Sequence, residues 1–202
     1  MLDAALIEEC ADPSLKPAIV EQFVNAVGSP DPLAVTVKSG GRLILVPKAK
    51  TADEAMDIIR QNIGHAVVRV GLTQFPAGVG AKDASELQPD LVEPCANLRM
   101  GTAMFAKILR IVTKWYGNPK SEEVVPQIFD DAVYAWKTGE FEGESVFQAE
   151  DPGGAVAEQP SSAVQRDAPT TADQPVERAA SAQSNVQDAG IRIDLSRIGG
   201  QH

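Results

Sequence analysis

Histidine is almost missing from this chain of 202 residues: only His65 and the terminal His202 occur. That removes a histidine-rich metal site and leaves a Ser-His-Asp triad without support. Cysteine is equally scarce. Cys10 and Cys95 are too few for a metal site by themselves, and they can form one disulfide or stay as two buried thiols. No run of 18 or more apolar residues exists, so no membrane-spanning helix is expected. The opening MLDAALIEECADPS has neither a basic start nor a long apolar stretch, so no Sec-type signal peptide is legible and the chain as written begins in the cytoplasm. There is no P-loop, no GxGxxG after a strand and no HExxH; VPKAK and FPAGVGAK have the wrong spacing to cradle a nucleotide. No cofactor is expected.

Basic residues are also in short supply. Lys and Arg number 18 against 28 Asp and Glu, a net charge of -10. Phosphate binding is dominated by Lys and Arg, which argues against nucleic acid as a broad-surface partner. The same balance argues against coating an anionic membrane. Acidity favours solubility.

What is present divides near residue 148. The last aromatic is Phe147 and the last lysine is Lys137. Beyond them the chain is rich in Ala, Gln, Ser, Pro, Asp and Glu and cannot bury enough apolar surface to offset chain entropy. The expected organisation is one domain over 1–148 and a disordered acidic tail over 149–202. The tail has a short apolar end in which Ile191, Ile193 and Leu195 alternate with polar residues. That end is either a frayed terminus or a strand that adds to a partner's sheet edge.

Residues 1–148 are patterned throughout. Leu15, Ile19, Val20, Phe23, Val24 and Val27 form one stripe of a helix over 14–27, stopped at Gly28. LAVTV, KSGG and RLILV (33–46) predict a hairpin. Thr51 and Glu54 form a capping box for a helix that ends at Gly64. AVVRVGL (66–72) is a short apolar run compatible with helix or strand. A long helix spans 95–116 with Leu98, Phe105, Ile108, Leu109, Val112, Trp115 and Tyr116 on its apolar face, ended by Gly117. Ser121 caps a last helix carrying Ile128, Phe129, Val133 and Trp136. The class is mainly α with a small β element.

Four segments carry a family resemblance in order and spacing: LIEEC through DPLAV (6–35), GGRLILVPKAKTADEAMDIIRQ (40–61), RVGLTQF (69–75) and DLVEPCANLRMG (90–101), trailed by AWKTGEF (135–141). Together they resemble the VirB-type lytic transglycosylases of bacterial type IV secretion systems. The likeness is closer still to the TraH-type conjugal transfer proteins of rhizobial and agrobacterial plasmids. It covers about 10–141, with EPCANLRMG the most specific part. It implies a lysozyme-like fold.

That family's chemistry requires a carboxylic acid at the end of the first large helix, to protonate the glycosidic oxygen. Aligning on Asp31 and Pro32 places Val27 there, and a slip of one residue places Ala26. Neither holds a proton to donate. Glu21 lies six residues earlier and about 240° around the helix. Asp31 lies past the helix end, where it caps or turns the chain. The family's Gly-Leu-x-Gln segment is kept in Gly71, Leu72, Thr73 and Gln74, but Pro76 replaces the Asn that follows. The late Tyr-Asn-Thr-Gly element reads Trp136, Lys137, Thr138, Gly139. Trp136 either stacks on a sugar or packs in the interior.

The resemblance also implies that Cys10 and Cys95 bond to one another, and it names Gln74, Trp136, Thr138 and Gly139 as candidate groove residues. The expected role is an accessory of plasmid conjugal transfer through a type IV secretion system, with no catalytic residue, docking peptidoglycan or a secretion component. The alternatives are an active lytic transglycosylase with a displaced carboxylate and a cytoplasmic adaptor that recruits a transfer protein through its tail. The location is the periplasm or cell envelope if the chain is exported, and the cytoplasm as written.

Overall fold

The computed structural model describes residues 2–81 and 83–156. The tail end Ile191–Ile198 lies outside the described residues. Helix α1 (Ala4–Cys10) opens the chain, capped by the Asp3 carboxylate, which accepts from the Ala5 amide at 2.9 Å. At seven residues it is too short for its periodicity to announce it. Helix α2 (Pro17–Val27) starts on a proline, whose missing N–H costs nothing at a first turn, and buries Ile19, Val20, Phe23 and Val24.

Strands β1 (Val35–Ser39) and β2 (Arg42–Ile44) form the expected hairpin. Gly40 and Gly41 at its tip have φ of 56° and 78°, the pair of positive values that a tight two-residue hairpin requires. Helix α3 (Ala52–Asn62) starts at the predicted capping box. The Thr51 hydroxyl accepts from the Glu54 amide at 3.2 Å, while the Glu54 carboxylate reaches back to the Lys50 amide at 2.7 Å.

The ambiguous run at 66–72 resolves into strand β3 (Val67–Val70), antiparallel to β1. Strand β4 (Phe75–Pro76) completes a sheet of order β2-β1-β3-β4. The pleat separates two faces. Val35, Val37, Val68 and Val70 face the interior, whereas Thr36, Lys38, Val67 and Arg69 fall on the opposite face.

Helix α4 (Pro94–Trp115) is the central support. Glu93 caps it, accepting from the Cys95 and Ala96 amides. Leu98, Phe105, Ile108, Leu109 and Val112 are buried along it. Trp115, expected on that apolar face, is instead 56% exposed and meets Phe141 edge to face at 5.5 Å. Ser121 caps a short 3-10 turn (Glu122–Val124) that leads into α5 (Val125–Thr138), so the helix proper starts a few residues later than the cap. A small hairpin of β5 (Glu140–Phe141) and β6 (Glu144–Ser145) follows. The core is aromatic at its centre: Phe23 stacks on Phe105 at 4.0 Å, and Trp136 meets Phe23 edge to face at 5.0 Å.

The chain does not leave this body at residue 148 as expected. Lys107 donates from Nζ to the Phe147 and Ala149 carbonyls at 3.0 and 2.9 Å. Arg110 grips Asp151 through two hydrogen bonds, and Val156 is buried. Two cations on α4, invisible to composition, thus hold 149–156 against the domain.

Candidate functional site

Val27 ends α2 and is half-buried against the core. The chain then makes an unusually close approach. A Cβ on Gly28 would lie 2.2 Å from the Leu72 carbonyl oxygen, and the Ser29 amide donates to that oxygen at 3.0 Å. Gly28 has φ of -85°, so its role is closeness and not a left-handed turn. The Gly-Leu-Thr-Gln turn is therefore locked to the end of α2.

The same turn is clamped from below by α4. Asn97 accepts at Oδ1 from the Thr73 amide and hydroxyl, both at 3.0 Å. Its Nδ2 donates to the Val70 and Leu91 carbonyls at 3.1 and 2.8 Å. Gly71 (φ 71°) and Gly101 leave room for the Asn97 and Thr73 side chains. All of this is buried, where an unpaired polar group is costly, so the turn has one arrangement.

A cavity of about 230 Å³ opens beside this turn. Helix α2 contributes Ala26 and Val27, and β1 contributes Thr36 and Lys38 from the outward face of the sheet. Arg69 comes from β3, Gln74 from the turn, and Trp136 and Lys137 from the end of α5. Three positions identified from separate segments, Val27, Gln74 and Trp136, thus line one cavity.

Their roles differ from a sugar-stacking groove. Trp136 is only 1% exposed and belongs to the aromatic core, so its ring offers no open face to a sugar. Its indole Nε1 is buried with no acceptor among the described residues. Gln74 is buried and folds back, donating from Nε2 to the Gly71 carbonyl at 3.1 Å. Thr138 and Gly139 do not reach this cavity. They line a neighbouring one of about 450 Å³. The Thr138 hydroxyl lies 3.0 Å from the Tyr134 carbonyl, and Gly139 closes α5 with φ of 85°.

The residue that sequence reasoning passed over is Arg69, which lines both cavities. Its Nη1 donates to the Gln74 carbonyl at 3.3 Å. Its Nη2 donates to the Trp136 and Lys137 carbonyls at 2.6 and 3.2 Å. Those last two carbonyls end α5, where the helix dipole is negative. The guanidinium carbon also sits 5.8 and 5.5 Å from the Trp136 and Phe147 ring centres. Burial pushes the Arg69 pKa down to about 10, and the group stays charged at neutral pH. A lone cation inside the apolar run AVVRVGL was the available signal.

The carboxylates considered as substitutes lie elsewhere. Asp31 accepts from the Leu33 amide at 3.0 Å and pairs with Lys48 at 3.1 Å, so it turns the chain as expected. Those contacts, the Leu33 amide first, hold its carboxyl below the usual range. A general acid requires the opposite shift. Glu21 is exposed on α2, and neither carboxylate lines the Val27 cavity.

Cys10 and Cys95 are bonded, with Cα atoms 5.1 Å apart and a sequence separation of 85. The bond ties the end of α1 to the start of α4. No described helix is long and apolar enough to cross a membrane, and no group of metal-ligating side chains occurs among the described residues.

Comparison with known proteins places these features in a family. No solved structure matches the chain. A Sinorhizobium fredii protein described as uncharacterized protein y4dP is 68% identical over 201 residues, spanning 99% of this chain and all of the relative. The TraH_2 family model matches residues 1–200, so the chain belongs to TraH_2, a TraH-type conjugal transfer family.

Proposed function

We propose that this chain is a degenerate lytic-transglycosylase-like accessory subunit of conjugal transfer, with a lysozyme-like fold. It works at a type IV secretion system by docking peptidoglycan or a secretion component without cleaving glycan. The supporting observation is the composition of the Val27 cavity. Among the described residues it is lined by Lys38, Arg69 and Lys137 and by no Asp or Glu. Glycosidic cleavage by this family's route needs a protonated carboxylic acid beside the scissile bond. A valine at that position, ringed by cations, supplies no proton and would depress the pKa of any acid brought near it.

The Cys10–Cys95 bond supports the cell envelope over a cytoplasmic adaptor, because such bonds persist in oxidising compartments. The direct test is solubilisation of purified peptidoglycan by the full-length protein, with an active lysozyme as control. The expected result is no soluble muropeptide above background, while deletion of the gene lowers plasmid transfer frequency. Muropeptide release by the native protein overturns the reading, and unchanged transfer frequency removes the conjugal role.

A further inference from the structure

The cavity and the sheet beside it share one face. By register, Lys38 on β1 stands between Leu43 on β2 and Val67 on β3. Thr36 and Arg69 form the next row on that face. Leu43 and Val67 are 61% and 56% exposed, and Leu45, just past β2, is more exposed still. Strand β2 pairs only with β1 among the described residues, which leaves its outer edge open. Apolar side chains on an open sheet edge are an association hazard unless something covers them.

The charge on this face runs against the rest of the molecule. The whole chain carries -10, yet the cavity holds three cations. Among the described residues neither Lys38, Arg69 nor Lys137 has a carboxylate partner. Arg69 satisfies itself on backbone carbonyls, which supply no formal negative charge. A half-buried cation without a counter-charge is costly to hold, and an anion in the cavity would offset that cost.

We propose that this face binds an acidic, extended segment of a partner protein: a carboxylate side chain enters the cavity toward Lys38, Arg69 and Lys137, and apolar side chains of the same segment cover Leu43, Leu45 and Val67. The proposal rests on the reading of the Val27 cavity as a docking groove and names the chemistry of its occupant. In an extended segment, residues two apart lie on one face about 7 Å from each other. The recognition pattern is therefore an acidic residue with apolar residues near it on the same side, lying across the outward face of β2, β1 and β3. Burial of the apolar side chains provides affinity, and the cavity provides selection for charge.

The experiment uses the full-length chain labelled with nitrogen-15 and follows its amide signals by NMR. The probes are a capped heptapeptide Val-Ser-Val-Ser-Glu-Ser-Val, which sets valines and glutamate on one face when extended, the same peptide with glutamine replacing glutamate, inorganic phosphate, and soluble muropeptides. The glutamate peptide is expected to move the amides of Thr36, Lys38, Leu43 and Val67 in a saturable way. The glutamine peptide should bind at least tenfold more weakly. Lys38→Glu and Lys137→Glu, whose side chains are exposed and whose folds are checked by circular dichroism, should each weaken the glutamate peptide by tenfold or more. Equal binding of both peptides, or unmoved amides with the glutamate peptide, overturns the proposal. Saturation by phosphate or by muropeptides with no peptide binding also overturns it, in favour of a free-anion or a glycan site. None of these failures alters whether glycan is cleaved, which muropeptide release reports independently.

Discussion

Gly28 and Leu72 meet backbone to backbone, with the space of the Gly28 Cβ only 2.2 Å from the Leu72 carbonyl oxygen. This contact joins the end of the helix that carries Val27 to the turn that carries Gln74. A methyl group there must push two backbones apart, because the neighbour is a main-chain oxygen and not a flexible side chain. Gly28→Ala is expected to destabilise the domain by about 1–3 kcal/mol, the usual cost of overpacking. Denaturant unfolding measures it, and a loss below about 0.5 kcal/mol would show that the contact relaxes freely.

Asn97 is the second fastening of the same turn. It makes four good hydrogen bonds to Thr73, Val70 and Leu91 in a buried setting. Asn97→Leu removes these four side-chain bonds in a buried setting and leaves the Thr73 hydroxyl only the Asn97 main-chain carbonyl, so a loss of at least about 2 kcal/mol is expected. Hydrogen exchange should show the 71–74 amides opening before the rest of the sheet, and unchanged protection there would refute the clamp.

The Cys10–Cys95 bond closes a long loop. The chain-entropy account assigns such a closure on the order of 4 kcal/mol. Reduction, or Cys10→Ser with Cys95→Ser, should lower the guanidinium midpoint accordingly. Two free thiols on denatured protein purified without reductant would show that the bond does not form.

The strap at 149–156 should release in acid. The hydrogen bonds from Arg110 hold the Asp151 carboxyl down to about 2, against an ordinary value near 3.8. A depressed folded-state pKa stabilises fully above the unfolded value and is lost as pH falls through the folded one. The strap's hold is therefore complete above about pH 4 and disappears toward pH 2. Trp115 lines a cavity with Ala149, Glu150 and Pro152, so its fluorescence reports the release. Asp151→Asn should remove this step from the pH profile, and a step that persists in the variant would have another origin.

Restoring the missing acid is expected to fail. Glutamate at position 27 would share its cavity with Lys38, Arg69 and Lys137, which hold it ionised at neutral pH. Val27→Glu should leave muropeptide release at background. Release by this variant would show that the cations do not set its protonation state.

Much of the scaffold was legible because local rules decide it. The stripe from Leu15 to Val27 names its own helix and buried face. The Thr51 and Glu54 box starts α3, and the Gly40–Gly41 tip makes the hairpin, since both depend on residues only a few positions apart. The run at 66–72 stayed ambiguous because a strand is defined by its neighbours: β3 is a strand because β1 and β4 flank it. Trp136 offered both a stacking and a packing role, and only the aromatic cluster around it chose packing.

By itself, then, the sequence determined the four longer helical segments, the hairpin, the absence of a carboxylate at position 27 and the two cysteines that the family pairs. Each is a matter of residue identity or of spacing within a few turns. Tertiary structure decided the rest: that Arg69, Lys38 and Lys137 share one cavity, that Thr138 and Gly139 face another, and that α4 holds the chain through 156. Those outcomes depend on where distant segments meet. The charge of a site is the sum over chain segments that only packing brings within reach of one another.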